Sequence, residues 1–251
     1  MRRKLAIIIL ITVFSCKEDN ILIFEDHFDD LQLNMTYWNY ELGNGCPKLC
    51  GWGNNERQVY TEENVLVKNG NLVIKATKDK AVYRSGKITT KSKIEFQYGT
   101  VEVKAKLPKG SGLWPAIWML GNDIDKKKWP ACGEIDVMEY VGKEPHTIYT
   151  SLHTPSSYGN TINSKKTLKE NIEKGFHVYK TKWTEQDIKF YIDDNLVYIF
   201  SPEIKNDKTW PFNKPFYLIL NLAIGGNFGG PEVDDSIFPQ EFVIDYIKAY
   251  Q

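Results

Sequence analysis

The sequence predicts an all-β protein, a large antiparallel sandwich in one domain. From residue 69 onward, β-rich runs alternate with turn signals, roughly a dozen of them in one block. No Pro/Gly/Ser linker and no fixed-period repeat divides the chain. Aromatic residues reach 13%, with seven Trp and fourteen Tyr, a supply that fills sandwich cores and also lines grooves where flat sugar faces stack. The 251 residues, 42% hydrophobic and 25% charged, are ordinary globular composition and exclude general disorder. Lys+Arg and Asp+Glu are both 32, so no basic excess points to nucleic acid.

In chain order, the expected strands are 71–77, 83–92, 94–96, 99–107, 113–120, 134–141 and 147–153, then 176–183, 187–192, 196–201, 216–223 and 242–250. Asp193-Asp194-Asn195 between two alternating runs signals a hairpin. Only residues 164–174 look helical, with a weak period.

The N-terminus reads as an address. Met1-Arg2-Arg3-Lys4 is basic, and Leu5 to Phe14 is a ten-residue, almost wholly apolar run, too short to span a bilayer but suited to a signal-peptide core. Val13-Phe14-Ser15-Cys16 resembles a bacterial lipobox, in which Cys16 becomes the lipidated first residue. Lys17-Glu18-Asp19 resembles the charged tether of some surface-exported lipoproteins of Bacteroidetes; ordinary secretion is the alternative. The expectation is therefore a signal peptide over 1–15, a lipidated tether over 16–19 and a catalytic domain over 20–251, held at the outer membrane or cell surface by the lipid alone. Loss of residues 1–15 leaves 29 basic against 32 acidic side chains, a charge of −3 that suggests no electrostatic grip on anionic polymers. Cys46 and Cys50, in a turn-rich loop of an exported chain, are expected to form a small-loop disulfide, since no neighbouring His or Cys completes a zinc site. Cys132 is expected to be a buried free thiol.

The chemistry concentrates in Gly133-Glu134-Ile135-Asp136-Val137-Met138-Glu139-Tyr140. Side chains alternate along a strand, so Glu134 and Asp136 share a face while Glu139, an odd number of residues on, points the other way. A one-residue bulge near Val137-Met138 returns Glu139 to that face. Without it an acid enters the core unpaired, at a cost of several kcal/mol. Three carboxylates on one face raise each other's proton affinity, which is a structural liability. It is also what a retaining glycosidase requires, a charged nucleophile and a protonated acid about 5–5.5 Å apart. Four strand steps cover about 13 Å between Cα atoms, so the carboxyl groups must lean together on a concave sheet. A solvent-facing acidic edge and a calcium cage are the alternatives; the apolar intervening residues disfavour the first, and the lack of loop carbonyls the second.

At this strand the chain resembles glycoside hydrolase family 16, specifically its bacterial laminarinase-like endo-β-1,3-glucanases. The resemblance extends over nearly all of the chain after the leader. It includes the stretches from Gly51 to Tyr60, Tyr83 to Thr89, Gly112 to Leu120, Trp129 to Cys132 and Asn221 to Gly226. It implies a concanavalin-like jelly-roll β-sandwich with a concave substrate cleft. It further implies that Glu134 is the nucleophile, Glu139 the general acid and base, and Asp136 the group that tunes the nucleophile. Trp114 resembles the sugar-stacking residue beside the nucleophile, and Trp118 shares its face, with core packing as the alternative for both. Asn54 and Arg84 resemble cleft residues that bond sugar hydroxyls, and His153 stands where the family has a histidine near the acid/base. Trp183 and Asn221 read equally as cleft floor or as packing. A structural calcium on the convex face is implied as well, with Asp245 as carboxylate ligand and backbone oxygens near His27 and Gly70. Many relatives carry an acid where this chain has His27. Catalysis itself requires no cofactor.

The resulting expectation is a retaining endo-hydrolase of β-1,3-glucan (laminarin), with mixed β-1,3/1,4-glucan as a further substrate, a β-glucan polysaccharide as its only partner, and a monomeric state. The alternatives are a family 16 hydrolase of another polysaccharide such as agar or porphyran, or a non-catalytic carbohydrate-binding sandwich. The near-neutral charge argues against a sulfated polymer. The three acids argue against a pure binder, which has no use for them.

Overall fold

The computed structural model describes residues 21–251; the expected signal peptide over 1–15 and the expected lipidated tether over 16–19, Cys16 included, lie outside the described residues. Two sheets face each other across one apolar core. The eight-stranded sheet runs Ser164–Leu168, Thr147–His153, Glu134–Tyr140, Leu113–Gly121, Phe216–Ile224, Lys87–Thr89 and Asn39–Tyr40, with Glu95–Phe96 also pairing to Phe216–Ile224. The ten-stranded sheet runs Asn195–Phe200, Ile188–Ile192, His177–Trp183, Gly99–Lys106, Gln240–Tyr250, Leu72–Asp79, Val82–Ser85 and Gln58–Tyr60. Leu22–Asp26 joins that sheet on Gln240–Tyr250, and Val65–Val67 joins it on Leu72–Asp79. The pairings are antiparallel except Gln58–Tyr60 beside Val82–Ser85, which is parallel. Sequential hairpins fold the middle of the chain, and distant segments meet at Gln240–Tyr250 and Phe216–Ile224.

Period-two alternation decides which side chains fill the core. In Leu113–Gly121, Leu113, Ile117 and Met119 enter the core, leaving Trp114, Ala116 and Trp118 on the opposite face. Phe216–Ile224 is buried on both faces: Phe216, Leu218, Leu220, Leu222 and Ile224 lie in the core, and Asn221 and its neighbours lie beneath the side chains of the outer face. The hairpin at Asp193-Asp194 is present, both residues taking positive φ (49° and 63°) between the paired Ile192 and Asn195.

Two departures from the sequence reading matter, and for Trp183 the structure decides between the two stated alternatives. Residues 164–168 form an edge strand, not a helix, and its exposed Lys165 and Lys166 protect that edge against further pairing. The run expected as one strand over 83–92 is two, Val82–Ser85 in the ten-stranded sheet and Lys87–Thr89 in the eight-stranded one. The crossing point is Gly86, where an added Cβ would sit 2.4 Å from Val65 Cγ2 and 3.1 Å from the Asn64 carbonyl oxygen. Trp183 is core, 1% exposed, with its indole N–H donating to the Phe212 carbonyl at 3.1 Å, so it forms no part of a cleft floor.

Candidate active site

Glu134–Tyr140 lies between Leu113–Gly121 and Thr147–His153, and its register contains the expected bulge. Against Leu113–Gly121, Asp136 pairs with Trp118, Met138 with Ile117 and Glu139 with Ala116, so Val137 is the unmatched residue. Against Thr147–His153, Glu134 pairs with His153, Asp136 with Ser151 and Glu139 with Tyr149. Residues directly opposite one another share a face, so all three acids lie on the outer face with Trp114, Trp118, Asn221, Ser151 and His153. Ile135, Val137, Met138 and Tyr140 go into the core.

The three carboxyl groups are enclosed: 15% side-chain exposure at Glu134, 4% at Asp136, and 9% residue exposure at Glu139. Desolvation is the main cause of a raised proton affinity at each. Glu139 is pushed up to about 8 by burial and then by the Asp136 charge, with His153 and the Trp114 N–H opposing. Burial pushes Asp136 up to about 8 as well. Glu134 is raised by burial and next by the Asp136 charge, and His153 works the other way. Asp136 Oδ2 lies 3.2 Å from His153 Nε2 yet has no hydrogen-bond partner. Such an oxygen is far more costly as a buried anion than as part of a neutral acid.

His153 stands beside Asp136 and Glu134, at 3.2 and 3.5 Å, and not beside Glu139 as expected. The cross-strand register puts it opposite Glu134 and puts Tyr149 opposite Glu139. Trp114 likewise attends the other acid. Its Nε1 donates to Glu139 Oε1 at 3.1 Å, and its ring packs edge-on to Phe228 at 5.4 Å. Trp118 donates to Asn221 Oδ1 at 2.8 Å, which places both on the cleft floor. Arg84 is not brought to the carboxylates. It belongs to the ten-stranded sheet, 41% exposed, with Asp79 Oδ2 at 3.9 Å, because Gly86 separates it from the cleft sheet.

The cation that does enter the cleft sheet is Lys87, which the sequence reading missed. Its side chain is 8% exposed, its Nζ is 2.7 Å from Glu41 Oε2, and it lies 4.1 Å from the Trp52 ring centroid and 5.2 Å from that of Trp118. Glu56 was also missed. It accepts from Asn54 Nδ2 at 3.1 Å, Gln58 Nε2 at 2.6 Å and Tyr60 Oη at 3.1 Å, and Tyr60 Oη in turn accepts from Asn221 at 3.0 Å. Asn54 therefore braces Glu56 beside the cleft. The signal available in sequence was the polar cluster Asn54 to Gln58 in a loop, but nothing local shows that it closes on Asn221.

The sequence profile of Glycosyl hydrolases family 16 matches residues 53–248, a span that holds Glu134, Asp136 and Glu139. The chain belongs to glycosyl hydrolase family 16. This family 16 glycoside hydrolase superposes on the laminarinase of Flavobacterium sp. UMI-01 with a TM-score of 0.90 and 58% identity, covering 92% of this chain and all of that one (100%). It superposes on the endo-β-1,3-glucanase of Pyrococcus furiosus with a TM-score of 0.87 and 40% identity, over 92% and 94% of the two chains. It is 39% identical to glucan endo-1,3-beta-glucosidase A1 of Niallia circulans over 92% of its own length, but spans only 38% of that protein. The expected jelly-roll sandwich is thus the fold of this hydrolase.

The remaining expected residues of the family 16 chain divide. Cys46 and Cys50 are disulfide-bonded, and Cys132 is free and buried, its thiol raised by burial. The residues named for calcium do not fit a tightly held ion. Asp245 Oδ2 is 2.7 Å from the Lys104 ammonium, and His27 Nε2 is 3.1 Å from Glu25 Oε2. Gly70, at φ +67°, adds only backbone oxygen, and one already neutralised carboxylate is a weak calcium ligand set. Among the described residues the one His/Cys/Asp/Glu cluster close enough for a metal is Glu134, Asp136 and His153, the acids of the cleft themselves.

Proposed function

We propose that the protein is a retaining endo-hydrolase of β-1,3-glucan, laminarin in type, which also cuts mixed β-1,3/1,4-glucan. The observation that carries the reading is the bulge at Val137, which turns Glu134, Asp136 and Glu139 to one enclosed face. The linkage rests on these relatives, which are named laminarinase, endo-β-1,3-glucanase and glucan endo-1,3-beta-glucosidase.

Glu134 is the nucleophile and Glu139 the acid and base. Glu134 is the less enclosed of the pair it forms with Asp136, and His153 beside it favours its ionised form, the form a nucleophile requires. In the first step the Glu134 carboxylate bonds to the anomeric carbon as the glycosidic C–O bond breaks. The Glu139 proton passes to the leaving oxygen. In the second, the Glu139 carboxylate takes a proton from water, the water oxygen bonds to the anomeric carbon, and Glu134 leaves as carboxylate. The two carboxyl groups do the chemistry and no cofactor enters it. Addition of EDTA is expected to leave melting temperature and rate unchanged; a fall in either would establish a tight calcium and overturn the reading of Asp245.

The protein acts as a monomer, exported and held to the outer membrane or cell surface through Cys16. No helix among the described residues is long and apolar enough to cross a membrane; the lipid on Cys16 is the proposed hold. The decisive experiment is reducing-end release from laminarin, lichenan and agarose by residues 20–251, beside Glu134→Ser. Rapid cleavage of laminarin, abolished in the variant, is the expected result. Cleavage of agarose alone overturns the substrate, and cleavage of none by folded protein overturns the laminarinase reading in favour of another polymer or a glycan-binding sandwich, which glycan-binding assays separate.

A further inference from the structure

The strand Leu22–Asp26 begins with a register shift that exposes apolar surface. Phe24 pairs with Ala249 and both enter the core, so by alternation Leu22 would enter it as well. Instead Ile23 is unmatched and Leu22 pairs with Tyr250, so the bulge turns Leu22 to the outer face of the ten-stranded sheet. Ile21, Leu22 and Ile23 are 67%, 43% and 41% exposed. Three consecutive aliphatic side chains in water forgo the stabilisation that burial gives. A bulge also spoils an edge for pairing with another chain. Ser164–Leu168 reaches that end with Lys165 and Lys166, without exposing such a run.

The surroundings suit a boundary between lipid and water. Tyr250 pairs with Thr100 and Thr100 with Lys182, so Leu22, Tyr250, Thr100 and Lys182 form one cross-strand row on the outer face. Aliphatic, then Tyr, then Lys is the order in which side chains pass from acyl chains through headgroups to water. The run is not a loose end, because Ile21 exchanges both backbone hydrogen bonds with Gln251. Its position selects the occupant. Only residues 17–20 separate Ile21 from Cys16. Five extended steps reach at most about 18 Å, and a lipidated Cys16 lies in a headgroup layer about 5–8 Å deep. The exposed run is thus the part of the domain that a membrane-bound Cys16 holds nearest the bilayer.

We propose that Ile21, Leu22 and Ile23, rimmed by Tyr250, form a membrane-contact surface. It settles into the headgroup layer once Cys16 is lipidated, and it keeps the cleft, on the opposite sheet, turned toward the polymer. The proposal goes beyond the hydrolase reading and rests on the lipid anchor.

The test uses the lipoprotein in phosphatidylethanolamine/phosphatidylglycerol vesicles, carrying an environment-sensitive NBD label at one new thiol. Cys132 is buried and Cys46 and Cys50 are bonded, so the label goes to the added cysteine. Gln251→Cys places it beside Ile21, and Leu168→Cys places it on the exposed edge of the cleft sheet. Brominated lipids are expected to quench the label at 251 about twofold and to leave the label at 168 unchanged. Ile21→Ser/Leu22→Ser/Ile23→Ser, with the lipid kept, should release the label at 251 from quenching while the laminarin rate in detergent is unchanged. Leu22→Ser alone should release it in part, and serves if the triple variant does not fold. A label at 251 that stays quenched in these variants would overturn the proposal, since tether length alone would then place it. Equal quenching at 251 and 168, or none at either, would overturn it as well. Lipoprotein that does not float with the vesicles is a failure of the anchor reading, seen before any label is read, and the contact falls with it.

Discussion

Glu139 sets the pH behaviour of the site. Its carboxyl is raised from an ordinary 4.5 to about 8. A group raised in the folded chain contributes stability that is full below its unfolded value and is lost as pH rises through the folded one. For Glu139 that window runs from about 4.5 to about 8. Glu139→Gln removes the buried charge, so its melting temperature relative to wild type should climb across this window, by about 2–4 °C for each kcal/mol relieved. Melting curves at pH 4 and pH 9 check it, and a gap that does not change with pH would show that Glu139 is not held protonated. Activity should follow the same proton, with kcat/KM falling as pH passes about 8 and the acid ionises. The acids were legible in sequence because faces alternate locally: the odd spacing of Glu139 demanded a bulge, and the bulge is there. The partners of His153 and Trp114 were not legible. Which acid each one touches depends on cross-strand register, and no residue near them in sequence encodes it.

Gly86 decides the composition of the cleft floor. By letting the chain pass close against Asn64 and Val65, it leaves Arg84 in one sheet and delivers Lys87 to the other. Arg84 was expected in the cleft because it resembles a sugar-bonding residue of the family; the interruption leaves it in the ten-stranded sheet, while Lys87, enclosed by Trp52, Trp118 and Glu41, stands on the cleft sheet. A glycine inside a run otherwise read as a strand was the available signal, since such a residue often marks close approach of another backbone. Gly86→Ala places a methyl group 2.4 Å from Val65 Cγ2, and overpacking of this kind costs about 1–3 kcal/mol. The expected outcome is a lower melting temperature, with KM for laminarin raised more than kcat is lowered, because Lys87 lies on the floor with two strands, Leu113–Gly121 and Phe216–Ile224, between it and the acids. An unchanged KM in a destabilised variant would show that Lys87 touches no sugar. The short edge strands at Asn39–Tyr40 and Gln58–Tyr60 escaped the sequence reading for a related reason. Two or three residues carry no measurable period, and distant pairing alone makes them strands.

Across the whole molecule, the cleft and the N-terminal end of the described chain belong to different sheets. The acids lie on the outer face of the eight-stranded sheet, whereas Leu22–Asp26 pairs with Gln240–Tyr250 in the ten-stranded one. Ile21 exchanges both backbone hydrogen bonds with Gln251, at 2.8 Å each, so the entry of the domain is fixed to its last strand. A lipid on Cys16 would thus hold the domain from the sheet opposite the cleft, at the end of a tether a few residues long. Polymer could then reach the acids while the chain stays at the membrane. The full-length protein, expressed with its leader in a lipoprotein-processing host, should appear in the detergent phase on Triton X-114 partition. Its laminarin-cleaving rate should match that of the free 20–251 domain within about twofold, because a tether leaving from the far sheet obstructs no approach to the cleft. Cys16→Ser should move the activity to the aqueous phase without changing the rate. Activity that is aqueous in both proteins would overturn the anchor. A tethered enzyme far slower than the free domain would show instead that the membrane covers the cleft.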